Sequence, residues 1–201
     1  MKPSEFWAGE FGDEYISRNN AKNLLESNWR LFCKALGMLN YDDEVTNIIE
    51  LGANIGLNIA AIKRIWPQIK ADAVEINEKA FQQLVKVADT AYNCNLFDTR
   101  ITGKYDLSFT KGVLIHIHPD DLKAAYQRLF DLSRRYILIC EYYSPKPVEI
   151  EYRGEKGKLW KRDFAGEMLG TLPIKLVDYG FVYHRDKYPL DDISWFLMEK
   201  I

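Results

Sequence analysis

The amino-acid sequence predicts an α/β fold built on a seven-stranded, mostly parallel β-sheet. Strand-like apolar segments alternate with amphipathic helical segments from residue 47 to residue 141, as in parallel strands joined by crossover helices. A glycine-bearing turn joins the first strand to its helix. Two strand-like segments with no helix between them end the chain, and they predict a C-terminal antiparallel hairpin at the edge of the sheet.

The predicted elements follow one another in a simple order. Apolar residues at helical spacing predict a helix over 22–39, before the first strand. Further helices are predicted over 57–66 and 78–89, and another opens at residues 119–121, where a proline and two acidic residues suit a first turn. Five strands are predicted between these helices, over 47–51, 71–76, 91–96, 105–110 and 136–141.

The last third of the chain follows a different pattern. Residues 144–162 are rich in Pro, Gly and basic residues and are predicted to be a loop, before a short helix over 163–169. The closing strands are predicted over 175–185 and 193–199. We expect one domain over 1–201, in which 1–40 form an N-terminal helical cap and 144–172 form a lid inserted on the substrate side.

Bulk properties limit the classes of function. The chain has 201 residues and a net charge of −2, with 47% hydrophobic and 28% charged residues. These values are typical of a globular protein and favour neither nucleic acid nor a membrane as partner. Three widely spaced cysteines suit a reducing cytoplasm better than a disulfide framework or a zinc site. We therefore expect a cytoplasmic protein with a small-molecule substrate; the sequence leaves the oligomeric state open.

The most informative segment is the turn after the first strand, which reads Glu50-x-Gly52-x-Asn54-x-Gly56. Glycines let a ligand approach the backbone closely, and asparagine tolerates a left-handed conformation. The following helix aims its free N–H groups at the same place. Glu75 ends the second strand, at the distance where an acid binds a ribose diol. The pattern predicts a nucleoside pocket, and the missing G-x-G-x-x-G disfavours NAD.

This turn resembles the E/D-x-G-x-G-x-G motif of class I S-adenosylmethionine (SAM) methyltransferases, with Asn54 in place of the middle glycine. The resemblance implies the Rossmann-like class I methyltransferase fold with SAM as cofactor and S-adenosylhomocysteine as product. Glu50 would then help to hold the ammonium group of SAM. Leu96 and Phe97 would contact adenine or pack in the core. The predicted cofactor-binding residues are Glu50, Gly52, Asn54, Gly56, Glu75, Leu96, Phe97, Thr110 and Lys111.

Six longer stretches resemble one narrower family, the pseudaminic acid biosynthesis-associated methyltransferases. They are residues 6–15, 111–117, 141–145, 152–154, 161–167 and 178–186. This resemblance implies methyl transfer to a small polar metabolite of bacterial surface glycan biosynthesis, such as a nonulosonic acid or a related nucleotide-linked sugar. Two alternatives stay open: the same fold with a different small-molecule or peptide acceptor, and a SAM-binding scaffold without turnover.

The candidate catalytic residues follow the fourth and fifth strands. His116 is the first candidate for a general base because histidine titrates near neutrality, although it could equally be a satisfied histidine on a helix. Glu141 and Tyr142 are the other candidates. We expect no metal, because His116 and His118 diverge if they lie on a helix. The predicted substrate-binding residues are Trp7, Tyr15, Tyr143, Arg153, Lys161 and Arg162, which could instead form packing contacts or a solvated face.

Overall fold

In the computed structural model, residues 3–18, 21–39 and 45–201 are described. Positions 1, 2, 19, 20 and 40–44 lie outside these ranges, so the predicted cap over 1–40 is described only in part. The N-terminal region holds three helices, α1 (Pro3–Ala8), α2 (Glu10–Arg18) and α3 (Ala21–Ala35), followed by a 3₁₀ turn at Gly37–Leu39. Within the described ranges, no helix is both long and apolar enough to cross a membrane.

The rest of the described chain alternates strands and helices. The strands are β1 (Asn47–Leu51), β2 (Lys70–Glu75), β3 (Thr90–Asn93), β4 (Tyr105–Lys111), β5 (Ser133–Tyr142), β6 (Val148–Tyr152), β7 (Glu155–Lys161), β8 (Ile174–Val182) and β9 (Ile193–Lys200). The helices are α4 (Leu57–Ile65), α5 (Glu78–Leu84), α6 (Leu122–Leu132) and α7 (Phe164–Leu169), and 3₁₀ turns lie at Leu114–His116 and Pro119–Asp121.

Seven strands form one sheet in the order β3-β2-β1-β4-β5-β9-β8. The first five of these are parallel to one another, whereas β9 pairs antiparallel with both β5 and β8. The predicted fold class is therefore confirmed, including the antiparallel pair at the C-terminal edge. The order reverses between β1 and β4, and a crevice forms at such a switch point beyond the carboxyl ends of the strands.

The hydrophobic core has two parts, one on each face of the sheet. Ile48 contributes to the core on one face of the sheet, which also contains Phe32 of α3 and Ile59 of α4. Ile49, the next residue, contributes to the other face, together with Leu129 of α6. Because successive strand side chains point to opposite faces, a continuous apolar strand such as β1 is covered by helices on both sides.

The prediction of a loop over 144–162 is wrong, because β6 and β7 form an antiparallel two-stranded sheet of their own. Arg153 and Gly154 connect these strands with φ of 56° and 85°, as a two-residue hairpin turn with both central residues left-handed requires. The segment around His116 is a single 3₁₀ turn rather than a helix.

The helix predicted over 78–89 is shorter than expected. It ends at Leu84, and Asp89 already pairs with the sheet, where its backbone N–H donates to the Ala71 carbonyl at 2.8 Å. The Asp89 carboxylate accepts a further hydrogen bond from the Ala71 N–H, also at 2.8 Å. These bonds turn the chain from the helix into β3.

Candidate cofactor and acceptor site

A cavity of about 820 Å³ lies at the carboxyl ends of the first four strands. Its floor is formed by the segments that follow these strands, which are residues 52–55, 74–77, 94–97 and 111–113. Helices α1, α2 and α3 contribute Trp7, Tyr15 and Asn28 to its wall. The cavity therefore lies at the edge of the sheet where the sequence predicts the ligand, and the N-terminal helices cover part of it.

The glycine turn adopts the left-handed backbone that its residue types favour. Gly52 has φ of 77° and Asn54 has φ of 50°, so both are left-handed. A Cβ atom at Gly52 would lie 2.5 Å from Cγ2 of Val113, so this glycine allows β1 and the segment after β4 to approach each other. Gly56 packs against Leu84 rather than lining the cavity.

Glu75 fixes the position of the turn. One carboxylate oxygen accepts a hydrogen bond from the Asn54 N–H and the other from the Asn77 N–H, each at 2.7 Å. Glu75 lines the cavity but is 8% exposed, and burial raises the pKa of its carboxyl. A carboxylate with lone pairs left over can still accept hydrogen bonds from a ligand.

Glu50 lies beneath the floor of the cavity and does not line it. It is fully buried, and one oxygen accepts a hydrogen bond from Nδ2 of Asn58 at 2.5 Å. Burial raises the pKa of Glu50 to about 8. The charge of a buried carboxyl is costly unless a cation is near. Lys111 on β4 lines the cavity and is the basic group with a favourable electrostatic effect on Glu50.

Several buried oxygens, three of them in residues that line the cavity, have no hydrogen-bond partner within the described part of the chain. They are Oε2 of Glu50 and the Oδ1 atoms of Asn28, Asn54 and Asn58. Asn28 and Asn58 were not among the residues predicted from the sequence. The feature that could have identified them is a polar residue on a buried, otherwise apolar face of a helix. In α3, for example, Asn28 lies on the same face as the buried residues Leu31 and Phe32, three and four positions later.

The remaining predicted cofactor residues divide into two groups. Leu96 and Phe97 line the cavity after β3. Thr110 is buried outside the lining, and its hydroxyl donates to the Leu51 carbonyl at 2.9 Å, which supports the start of the glycine turn.

A cluster of rings, called the ring roof below, forms another part of the cavity wall. Trp7, Tyr15 and His116 line the cavity, and Tyr152 packs against Trp7 and His116. The Trp7 ring lies 4.5 Å from the His116 ring and 5.3 Å from the Tyr15 ring, measured between centroids. Tyr152 of β6 lies 5.2 Å from His116. The indole N–H of Trp7 is buried without a partner among the described residues. Further lining residues that the sequence did not single out are Asn77, Asp120, Asp121 and Gly157.

His116 is held in one tautomer. Its Nδ1 lies 2.7 Å from the Lys158 carbonyl oxygen, and a carbonyl only accepts, so Nδ1 carries the proton and Nε2 keeps its lone pair. Burial lowers the pKa of His116 to about 4. The ring is therefore neutral at pH 7 and does not titrate near neutrality as the sequence suggested. His116 lines the cavity.

Glu141 and Tyr142 lie outside the lining of the cavity. Glu141 is buried and accepts hydrogen bonds from the N–H groups of Val113 and Leu114, both at 3.0 Å. Burial raises the pKa of Glu141 to about 7. The Tyr142 hydroxyl donates to Oδ2 of Asp191 at 3.2 Å, and burial raises the pKa of this phenol well above its usual range.

Four of the predicted substrate-binding residues also lie outside the lining. Lys161 lies over the Tyr142 ring, 5.1 Å from its centroid, and Nε of Arg162 donates to Glu167 at 2.7 Å. The Arg153 guanidinium lies 5.7 Å from the centroid of the adjacent Tyr152 ring. Tyr143 is 45% exposed and its ring is 6.3 Å from that of Phe196. Trp7 and Tyr15 are the two predicted substrate residues that line the cavity.

Over residues 3–18, 21–39 and 45–201, no group of three or more His, Cys, Asp and Glu side chains is arranged to hold a metal ion.

The fold is the Rossmann-like fold of class I methyltransferases. Magnesium protoporphyrin IX methyltransferase from Synechocystis PCC 6803, solved with bound S-adenosylhomocysteine, superposes with a TM-score of 0.72 at 14% identity over 98% of this chain and 97% of that one. The 1,6-didemethyltoxoflavin-N1-methyltransferase of Burkholderia thailandensis superposes with a TM-score of 0.69 at 16% identity, over 98% of this chain and 86% of that one. A plantazolicin methyltransferase superposes with a TM-score of 0.64 at 11% identity, over 99% of this chain and 94% of that one.

Comparison of the sequence with known proteins identifies no family for this chain. No protein-family model matches the chain, and no curated protein matches it. The structural neighbours are class I SAM-dependent methyltransferases, and none of them links the chain to the pseudaminic acid biosynthesis family.

Proposed function

We propose that this protein is a SAM-dependent methyltransferase that acts on a small polar metabolite. The observation that supports the proposal best is the set of buried, unpartnered oxygens in residues that line the cavity or lie beneath it. A buried acceptor without a partner costs about 1–3 kcal/mol, so the cavity suits a ligand group with several N–H donors. The ammonium of the methionyl end of SAM is such a group.

Different residues around the turn would bind different parts of SAM. Asn28 and Asn58 would contact the ammonium, and the Glu50 carboxylate behind Asn58 would attract it from beneath the cavity floor. Lys111 would neutralise the neighbouring carboxylate of the cofactor. Glu75 would bind the ribose hydroxyls, and Leu96 and Phe97 would contact the adenine. When bound, SAM would supply a methyl group on a sulfonium, which is a good leaving group, so the protein would contribute mainly by positioning the acceptor.

The acceptor would lie under the ring roof. The neutral His116 ring keeps a lone pair on Nε2, and the buried Trp7 indole N–H is a free donor. Together they suit an acceptor that both donates and accepts hydrogen bonds, as a hydroxyl does. His116 would take the hydroxyl proton as the new bond forms; an already neutral amine would need this help less. Tyr15 would close the side of the acceptor.

The narrower acceptor rests on sequence resemblance. A nonulosonic acid or a related nucleotide-linked sugar is the acceptor that the six stretches similar to pseudaminic acid biosynthesis-associated methyltransferases imply. An anionic acceptor of this kind would need a cation near the roof. Gly157 brings the β6–β7 hairpin to the cavity, so a lid that carries Arg153 is compatible with this idea. The three neighbours named above act on three different compounds, so the fold leaves the acceptor open.

Calorimetry tests the cofactor directly. We expect the protein to bind SAM and S-adenosylhomocysteine at one site and to give no heat with NAD. Replacing Gly52 by Val should abolish SAM binding, because the branched side chain would collide with Val113 and displace the turn. NAD binding, or full SAM binding by a folded Gly52→Val variant, would contradict the proposed site.

A further inference from the structure

Glu141 ends the fifth parallel strand and reaches the segment that carries His116. Its carboxylate oxygens accept hydrogen bonds from three consecutive N–H groups, those of Val113 and Leu114 at 3.0 Å and that of Ile115 at 3.4 Å. The first N–H groups of a helical turn have no partner inside the turn, and a carboxylate is a favourable cap for them. Here the cap comes from a different strand, 26 to 28 residues further along the chain.

We propose that Glu141 is a positioning residue that fixes the His116 ring in the cavity through the 113–115 backbone. The proposal rests on the proposed function for the role of His116 towards an acceptor, but its geometry involves residues of this chain alone. It assigns Glu141 an indirect role, because its carboxylate bonds to the backbone of the turn and does not line the cavity.

The His116 ring is held from two sides. On one side its own backbone N–H donates to the Val113 carbonyl at 2.9 Å, which closes the turn that Glu141 caps. On the other side Nδ1 donates to the Lys158 carbonyl of β7 at 2.7 Å. A displacement of the turn would lengthen this second bond and remove the constraint that keeps the proton on Nδ1. The tautomer of His116 therefore reports directly on whether Glu141 holds the turn.

The groups around Glu141 define how pH should act on it. Lys111 of β4, Cys140 of β5 and the Tyr126 hydroxyl of α6 interact with its charge, and Lys111 is the one cation among these three. Burial raises the pKa of Glu141 to about 7, above the ordinary value for a glutamate. When the carboxyl is protonated, one of its oxygens carries a hydrogen and is a poor acceptor for the N–H groups of the turn. The hydrogen bonds between Glu141 and the turn therefore weaken as the pH falls through 7.

The test is NMR of the full-length protein labelled with ¹⁵N-histidine, which gives few signals because the chain has three histidines. In the wild type we expect a neutral His116 protonated at Nδ1, a change in its ¹⁵N shifts near pH 7 as Glu141 ionises, and protonation of its own ring near pH 4. In Glu141→Gln the change near pH 7 should vanish, and both tautomers should appear even at pH 8, because the neutral amide resembles the protonated carboxyl.

Asp106→Asn is the matched control. Oδ2 of Asp106 accepts hydrogen bonds from the N–H groups of Thr46 at 2.9 Å and Asn47 at 3.2 Å, at the opposite end of the strands. This variant should lose a similar carboxylate–backbone contact and leave the His116 signals unchanged. Unchanged His116 signals in Glu141→Gln would overturn the proposal, as would equal effects of the two variants.

Two additions keep the outcome clear. If Glu141→Gln does not fold, the wild-type titration decides, and a flat His116 response between pH 6 and pH 8 would overturn the proposal. SAM calorimetry on the same samples tests the proposed function separately. A folded wild type that binds no SAM would contradict the proposed function, whereas the His116 signals alone decide the positioning role of Glu141.

Discussion

The carboxylate of Glu75 accepts a hydrogen bond from the backbone N–H of Asn54 at 2.7 Å, which joins the end of β2 to the glycine turn after β1. Its second oxygen accepts from the Asn77 N–H at the same distance. Glu75 therefore holds two cavity-lining segments together and presents its remaining lone pairs to the cavity. The acid that the sequence marks as a ribose ligand also has a structural function in the turn.

The first prediction concerns the affinity for SAM of Glu75→Gln. The amide keeps an oxygen for one of the two N–H groups but loses the charge, and a hydrogen bond to a charged group contributes about 1.5–3 kcal/mol. We expect calorimetry to give an affinity about 10- to 150-fold lower. Asp72→Asn is the control, because Asp72 is on the same strand but bonds to the Tyr105 hydroxyl outside the cavity. Unchanged SAM affinity in a folded Glu75→Gln would remove Glu75 from the ribose site.

The second prediction concerns Asn28. In the ligand-free protein its buried Oδ1 has no partner among the described residues, so the isosteric Asn28→Leu should leave the stability to urea unchanged or raise it by up to about 1 kcal/mol. The same change should weaken SAM binding about tenfold or more, because one ligand of the ammonium is lost. Asn23→Leu, on the exposed side of the same helix, should not alter SAM binding. Equal SAM affinity in wild type and Asn28→Leu would refute this assignment.

The third prediction is a pH dependence of stability caused by Glu50. Its folded-state pKa of about 8 lies above the ordinary value of 4.5, so between these values the native state binds more protons than the unfolded state. Glu50 therefore lowers stability as the pH rises from 4.5 to 8, by at most about 1.4 kcal/mol per pH unit. Urea unfolding of the ligand-free protein should find Glu50→Gln more stable than the wild type at pH 8–9, with little difference at pH 5. A constant difference between pH 5 and pH 9 would contradict this account.

The fourth prediction concerns His116→Ala. With a hydroxyl acceptor we expect kcat to fall about 10²-fold, the lower end of the range for general bases, because a pKa of about 4 makes His116 a weak base at pH 7. SAM affinity should be retained. His184→Ala is the control, because His184 is paired with Asp192 on the surface. A normal kcat on a proven hydroxyl acceptor would exclude His116 from the mechanism.

The fifth prediction assigns different roles to two arginines of the predicted lid, Arg153 and Arg162. Arg153 lies against Tyr152, whose ring neighbours His116 and Trp7, so Arg153→Ala should raise the KM of an anionic acceptor several-fold with SAM affinity unchanged. Arg162 is paired with Glu167. Arg162→Ala should therefore lower the free energy of unfolding by up to about 1 kcal/mol, with little effect on KM. The reverse pattern would show that Arg162, and not Arg153, reaches the acceptor.

Most of the fold could be predicted because its signals are local. Apolar strands and amphipathic helices alternate, and the left-handed backbone of Gly52 and Asn54 follows from the residue types in the turn. The β6–β7 hairpin was missed although its sequence carries a strand signal. Val148, Ile150 and Tyr152 alternate with two glutamates, but the flanking Pro, Gly and basic residues favour a loop, and every residue of 148–151 is exposed rather than packed on a core.

The sequence predicted lining residues that follow strand ends and, in the N-terminal helices, Trp7 and Tyr15. The pKa of His116 depends on burial under Trp7 and on the Lys158 carbonyl, both distant in sequence. Asn28 reaches the cavity from a helix that precedes the motif. The basic residues of 153–162 suggested an anion clamp, but a sequence does not reveal that Arg162 already has a carboxylate partner five residues away.

The most direct test of the central claim is methyl transfer itself. The protein should be incubated with SAM labelled in its methyl group and with a metabolite pool, and both products followed by mass spectrometry. We predict that a small polar metabolite gains one labelled methyl group while S-adenosylhomocysteine accumulates in equal amount, and that Gly52→Val forms neither product. SAM binding with no labelled product in any fraction would indicate a scaffold rather than an enzyme, and it would contradict the proposed methyl transfer.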